Sequence, residues 1–137
     1  MIASPLDGSV LGSVESSFAI AEWRDPGGDS PSPRYIAPWH VHHHDDEAWY
    51  VLEGSLSIRA GDDVIELRAG SAYLVPRGTP HTYWNPGPAP VRYLLFMTPA
   101  ILRLIQSIHV ATDRSPAAMA ALFAEHDSAL VNPPEGF

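Results

Sequence analysis

The segment Trp39 to Glu47, WHVHHHDDE, places four histidines and three acids within nine residues. Neutral imidazole and carboxylate are the usual protein ligands of divalent transition metals, and both also move protons. Side chains of an extended strand alternate between faces, so His40 and His42 point the same way and His43 leaves that face. The HDD stretch that follows is turn-like, and the next strand starts near Glu47. Alternation there puts Glu47, Trp49 and Val51 on one face and Ala48, Tyr50 and Leu52 on the other. If the two strands form one hairpin with the histidine pair inward, Glu47 returns to meet His40 and His42. A solvated polar loop is the competing reading, because adjacent histidines beside acids also occur in exposed turns.

A second segment bears on that choice. Gly70 to Asn85 reads GSAYLVPRGTPHTYWN, where Pro76 and Gly78 make a tight turn that delivers His81 to the start of a strand. Alone, His81 reads as a packed or surface histidine. Beside the first cluster it would complete a set of three nitrogens and one oxygen.

Composition removes other chemistries. The chain has no cysteine, which excludes disulfides, thiolate metal sites and a Cys nucleophile. All eight basic residues are arginine, so no lysine is present to form a Schiff base. A formal charge of -8 and the lack of a basic stripe speak against nucleic acid as a partner. The length of 137 residues and the 45% hydrophobic content suit one globular domain with a core of its own. No apolar run approaches the roughly 20 residues that span a bilayer, so no membrane partner is expected. MIASPLDGSV at the N-terminus has neither the basic start nor the apolar stretch of a secretory signal, and the expected location is cytoplasmic.

The elements that must position these residues fall into three zones of one domain. Residues 1–33 are an approach with one strand, Ser17 to Trp23, and a turn-rich loop, RDPGGDSPSP. Residues 34–97 run through short strands: RYIAPWHVH, EAWYVLEG, SLSIRA, VIELR, SAYLVP, HTYW and VRYLLFM, with Gly, Pro, Asn and Asp between them. Their spacing predicts an all-β sandwich or barrel rather than alternating strands and helices. Residues 98–137 switch to a helical period. Thr98-Pro99 and Ser115-Pro116 are N-cap and N1 pairs, followed by stripes at Ile101, Leu104, Ile105 and Ile108 and at Met119, Leu122 and Phe123. These stripes are expected to pack on the sheet or on a second subunit rather than to form a cofactor site. The tail VNPPEGF reads as extended.

Together the two histidine segments resemble the cupin family. That family's first motif is HxH, three or four residues, Glu, six residues, Gly; here His40, His42, Glu47 and Gly54 meet it. Its second is G-x5-P-x-G-x2-H-x3-N, met by Gly70, Pro76, Gly78, His81 and Asn85. The glycine that often opens the first motif is Arg34 here. The resemblance covers about residues 34–97. It implies a cupin double-stranded β-helix, a small jelly-roll barrel, with the C-terminal helices as an extension. It also implies that His40, His42, Glu47 and His81 are metal ligands, and that Gly54, Gly70, Pro76, Gly78 and Asn85 are framework positions.

Such a donor set suits one divalent ion (Fe, Mn, Ni, Cu, Co or Zn) and leaves positions for substrate, water or dioxygen. Glu47 is expected to act as a ligand, as a catalytic base, or as both. Strand alternation places Trp49, Val51 and Tyr83 on the ligand faces as candidate substrate-binding residues, the alternative being ordinary barrel core. Arg59 and Arg92 read as solvent-facing rather than anion-binding. The DEAWYVLEG wording and the helical extension look most like the small quercetin-2,3-dioxygenase-like cupins. The resemblance therefore implies a metal-dependent dioxygenase acting on a small enolic or flavonol-like substrate. A metal-dependent isomerase, lyase or cyclase of a small carbonyl compound, and a non-catalytic small-molecule-binding cupin, are the alternatives. Small cupins are often dimers, so a homodimer is expected.

Overall fold

A computed structural model describes residues 6–134. The element order is β1 (Val10–Leu11), β2 (Ala19–Asp25), β3 (His40–His42), β4 (Glu47–Glu53), β5 (Ser55–Ala60), β6 (Asp63–Arg68), β7 (Ala72–Val75), β8 (His81–Trp84), β9 (Val91–Met97), α1 (Pro99–Val110), α2 (Pro116–Glu125) and β10 (Ser128–Leu130). The strands form two five-stranded antiparallel sheets, ordered β1-β2-β9-β4-β7 and β10-β3-β8-β5-β6. This is the expected all-β double-stranded β-helix core followed by two helices.

Two-residue alternation builds the interior. In β4, Glu47, Trp49 and Val51 are buried, and in β9 Val91, Tyr93, Leu95 and Met97 are. These meet Leu56 and Ile58 of β5 and Tyr83 of β8 from the opposite sheet. Burying a large apolar side chain of this kind contributes about 1.5–3 kcal/mol.

Three local expectations are revised. First, β3 and β4 are not a hairpin, because they belong to different sheets and residues 43–46 carry the chain across the corner. Second, the strand expected over RYIAPWHVH is regular only at His40–His42, with a single bridge from Tyr35 to Trp84 before it. Pro33 and Pro38 lack the N–H that a continuous ladder needs. Third, the segment entering the tail forms β10, which pairs antiparallel with β3 through Ser128 opposite His42 and Leu130 opposite His40. Val131 to Pro134 leave regular structure, and residues 135–137 of the predicted extended tail lie outside the described residues. Residues 1–5 of the N-terminal stretch also lie outside it.

Both helix starts are as predicted. The hydroxyl oxygen of Thr98 accepts from Ile101 N–H and that of Ser115 from Ala118 N–H, with proline in the first turn of each helix. The Thr98 hydroxyl also donates to Asp45 at 2.7 Å, tying α1 to the corner between β3 and β4. Among the described residues no helix is long and apolar enough to cross a membrane.

One framework glycine is irreplaceable for a visible reason. Gly54 has φ of 78°, and a Cβ there would run into the carbonyl oxygen of Pro90 and sit 3.1 Å from the Cα of Val91. Gly54→Ala is therefore expected to lower unfolding free energy by roughly 1–3 kcal/mol, since left-handed backbone and a steric clash coincide. Chemical denaturation would check this, and an unchanged midpoint would contradict the packing described.

Candidate metal centre

Local structure explains how four polar side chains reach one point. His40 and His81 are directly opposite in the β3–β8 register, which puts both imidazoles on one face, and His42 joins them two residues along. Glu47, the first residue of β4, faces them from the other sheet. The Pro76–Gly78 turn leading into β8 is latched to β3, because Gly78 N–H donates to the carbonyl of His42 at 2.7 Å. Asp46 accepts from Arg77 N–H at 2.8 Å and from the guanidinium at 3.1 and 3.2 Å, joining the two motif turns. Asn85 donates to Ala89 and accepts from Gly87, closing the loop after β8.

All four side chains are buried, with exposures between 1% and 5%, and their ligand atoms lie within 4.8 Å of one another. His42 Nε2 is 3.2 Å from both His40 Nε2 and the Glu47 carboxylate, and His81 Nε2 is 3.0 Å from that carboxylate. Adjacent donors held at about 2.1 Å from one ion stand about 3 Å apart, so the spacing suits a single ion.

Hydrogen bonding sets the tautomers. His40 Nδ1 is 2.6 Å from the Pro38 carbonyl and His81 Nδ1 is 2.9 Å from the Thr79 carbonyl. A carbonyl only accepts, so each Nδ1 carries a proton and Nε2 is the atom turned toward the cluster. His42 Nδ1 lies 2.7 Å from the Ser128 hydroxyl, which itself donates to the carbonyl of His126. That leaves the Ser128 oxygen to accept from Nδ1, and His42 is fixed in the same way. Three imidazole nitrogens and a carboxylate converge at about 3 Å, and the cluster offers a site suited to one divalent metal ion.

The electrostatics agree. Burial, followed by the His81 charge, depresses His40 to about 3, so its ring stays neutral and available as a ligand. Burial alone would raise the Glu47 carboxyl, but hydrogen bonds from His42 and His81 outweigh it and hold the group well below the usual carboxylate range.

A cavity of about 780 Å³ opens above the centre. His40, His42 and Glu47 lie in its wall, as does Tyr83. Trp49 and Val51 do not, being fully buried in the core, where Trp49 packs edge-on to His81 at 5.8 Å. The helical stripes do more than cover the sheet: Ile101, Leu104, Ile105, Ile108, Met119 and Phe123 all line the cavity. Phe123 reaches His40 with ring centroids 5.7 Å apart. Arg92 pairs with Glu22 and Glu53, and Arg59 lies over the Trp39 ring, so neither enters the site. His43 and His44 are outside the cluster.

Sequence reasoning missed Ser128 and Tyr93. No pattern marked Ser128, which becomes adjacent to His42 only when β10 pairs with β3. Tyr93 was legible, because alternation in VRYLLFM places it on the inner face, where it donates to the Tyr83 hydroxyl at 3.4 Å.

His40→Ala, His42→Ala and His81→Ala are each expected to lose most bound metal, with His43→Ala and His44→Ala retaining it. Ser128→Ala should weaken binding about 10- to 100-fold by freeing the His42 ring. Metal analysis and competition titration check both statements. Metal-free protein should also lose stability on acidification. The unfolded chain protonates His40 near its ordinary 6.5 and the folded chain only near 3, so stability complete above pH 6.5 falls between those values. Glu47, also depressed, adds a loss of the same sign below its ordinary 4.5. Thermal melts across pH 7 to 4 would show it, and a flat profile would contradict it.

Comparison with known proteins completes the description. Over 82 residues the chain is 33% identical to the tetracenomycin polyketide synthase protein TcmJ of Streptomyces glaucescens, covering 60% of this chain and 54% of that protein. Over 54 residues it is 33% identical to the xanthan biosynthesis protein XanB of Xanthomonas campestris, covering 39% of this chain and 12% of XanB. The chain thus spans about half of one curated relative and a small part of the other. A solved sugar phosphate isomerase from a cupin superfamily, from Silicibacter pomeroyi, is similar at 25% identity with a TM-score of 0.52, over 61% of this chain and 51% of that one. The family model for the cupin domain matches residues 25–97, more than half of the 137 residues, and the chain belongs to the cupin domain family.

Proposed function

We propose that this chain is a metal-dependent isomerase, lyase or cyclase of a small carbonyl compound, with His40, His42, Glu47 and His81 as the metal-holding set. One observation carries the reading: His40, His42 and Glu47 of the metal-holding set and the Tyr83 phenol line one largely apolar cavity, with His81 beside them in the cluster. A divalent ion bound there supplies Lewis acidity toward a carbonyl oxygen. The three imidazoles are oriented toward that ion by Pro38, Ser128 and Thr79. Glu47 is the one carboxylate among the described residues lining the cavity, and we assign it the proton taken from the carbon beside the carbonyl.

Tyr83 is the complementary donor. Burial, with Tyr93 beside it, raises its hydroxyl well above the ordinary phenol value, so it remains protonated throughout the physiological range. The Tyr93 hydroxyl, itself raised to about 12, donates to the Tyr83 oxygen and leaves the Tyr83 proton free to meet a substrate oxygen. The helical wall makes the surroundings of the proton being moved largely apolar. Likeness to a protein described as a sugar phosphate isomerase supports an oxygen-independent reaction.

A dioxygenase acting on an enolic or flavonol-like substrate is the second reading. It is favoured by the same donor set, which also suits redox-active ions, and by the Tyr83–Tyr93 wall, which suits a flat substrate.

The two readings separate in one experiment. Zn(II)-loaded protein should turn over β-dicarbonyl substrates, or exchange their acidic carbon-bound protons with deuterated water, at equal rates with and without oxygen. Glu47→Gln should abolish the exchange, and Tyr83→Phe should slow it about 100-fold or more. Nuclear magnetic resonance follows the exchange and an oxygen electrode the gas. Oxygen consumption confined to redox-active ions, without exchange on Zn(II), would instead establish the dioxygenase.

A further inference from the structure

The mouth and the wall of the cavity differ in chemistry. The wall contributed by α1 and α2 is aliphatic and aromatic, with Leu104, Ile105, Ile108, Met119 and Phe123 facing inward. A polyhydroxylated sugar pressed against such a surface would bury hydroxyls without partners, at a cost of about 1–3 kcal/mol each. The wall selects a hydrocarbon or aromatic body instead, and the volume of about 780 Å³ accommodates one of drug-like size.

The basic residues of the lining are Arg24, at the end of β2, and His109 and Arg114, at and beyond the end of α1. The chain carries 16 acids and only 8 arginines, yet among the described residues lining the cavity the sole acid is Glu47 in the metal cluster. The exposed residues of the opening thus oppose the sign of the whole protein. Neither arginine has a carboxylate partner within 4 Å among the described residues. Arg114 is positioned by one donor, which reaches the Ile108 carbonyl at 2.7 Å, and its planar head has further donors.

We propose that the substrate is an amphiphilic anion. Its apolar body fills the helix-walled cavity, with its reacting oxygen toward the metal centre, and its anionic group sits at the mouth between Arg24 and Arg114. This rests on the preceding reading only in taking the cavity over the metal centre as the substrate site. Guanidinium groups recognise carboxylate, sulfonate or phosphate through paired N–H donors. Their position at the rim of an otherwise acidic molecule also draws an anion to the opening.

The test is equilibrium binding to metal-stripped protein, so that no probe is held by the ion. Calorimetry compares 2-naphthalenesulfonate with its neutral analogue, methyl 2-naphthyl sulfone. The sulfonate is expected to bind about tenfold more tightly in low salt, with the preference shrinking in 0.5 M sodium chloride. Arg24→Gln combined with Arg114→Gln should abolish the preference and leave sulfone affinity unchanged. Met119→Trp, which fills the cavity, should weaken both probes. Equal affinities in the unaltered protein, a preference surviving the double substitution, or sulfonate binding indifferent to Met119→Trp would each overturn the proposal. Binding does not depend on turnover, so failure of the isomerase reading leaves this result standing, and the converse holds.

Discussion

Four buried polar side chains that approach within about 3 Å of one another form the constraint on which the rest of this structure depends. Three imidazoles and a carboxylate share one buried cluster, where burial removes the water that would otherwise satisfy them. A divalent ion bound there would satisfy all four ligand atoms at once. The surroundings hold these side chains in place. Two rings are fixed by backbone carbonyls and one by a serine, and the motif turns are joined by the Asp46–Arg77 pair and by the Gly78 amide. Exposed salt bridges of this kind contribute about 1 kcal/mol or less to stability, so the role of the Asp46 clamp is to preserve geometry.

The helical extension turns a metal centre into a chemical environment. Without α1 and α2, His40 and the mouth of the barrel would face solvent; with them, the space above the cluster is largely apolar. Electrostatic interactions strengthen in such a space, and a phenol beside it stays protonated. The same helices lead to β10, whose Ser128 fixes the His42 tautomer. One C-terminal segment thereby shapes the substrate space and orients a ligand.

Much of this was legible before any coordinates. The strand-and-turn grammar of residues 34–97 indicated an all-β barrel, and both helix starts were marked by Thr98-Pro99 and Ser115-Pro116. The pairing of His40 with His42 and the separation of His43 followed from alternation, whereas His44 was set apart by the turn-like HDD that contains it. The hairpin expectation failed because alternation describes one strand and says nothing about which sheet the next strand joins. Trp49 and Val51 share the face of Glu47 as expected, yet they sit deeper along it, in the core. The stripe of α1 was identified correctly as apolar, but a pattern of spacing does not say whether its face meets a sheet or a cavity.

Local chemistry was therefore written in the sequence: which residues can bind a metal, which face each strand turns inward, and where helices begin. These depend on covalent geometry and on neighbours a few residues away. The tertiary structure alone decided that Glu47 approaches from the opposite sheet, that Ser128 meets the His42 ring from 86 positions away, and that Arg24 and Arg114 of an acidic chain line the cavity above the cluster. Those relations join segments distant in the chain, and only the packing of the two sheets and the helices sets their distances.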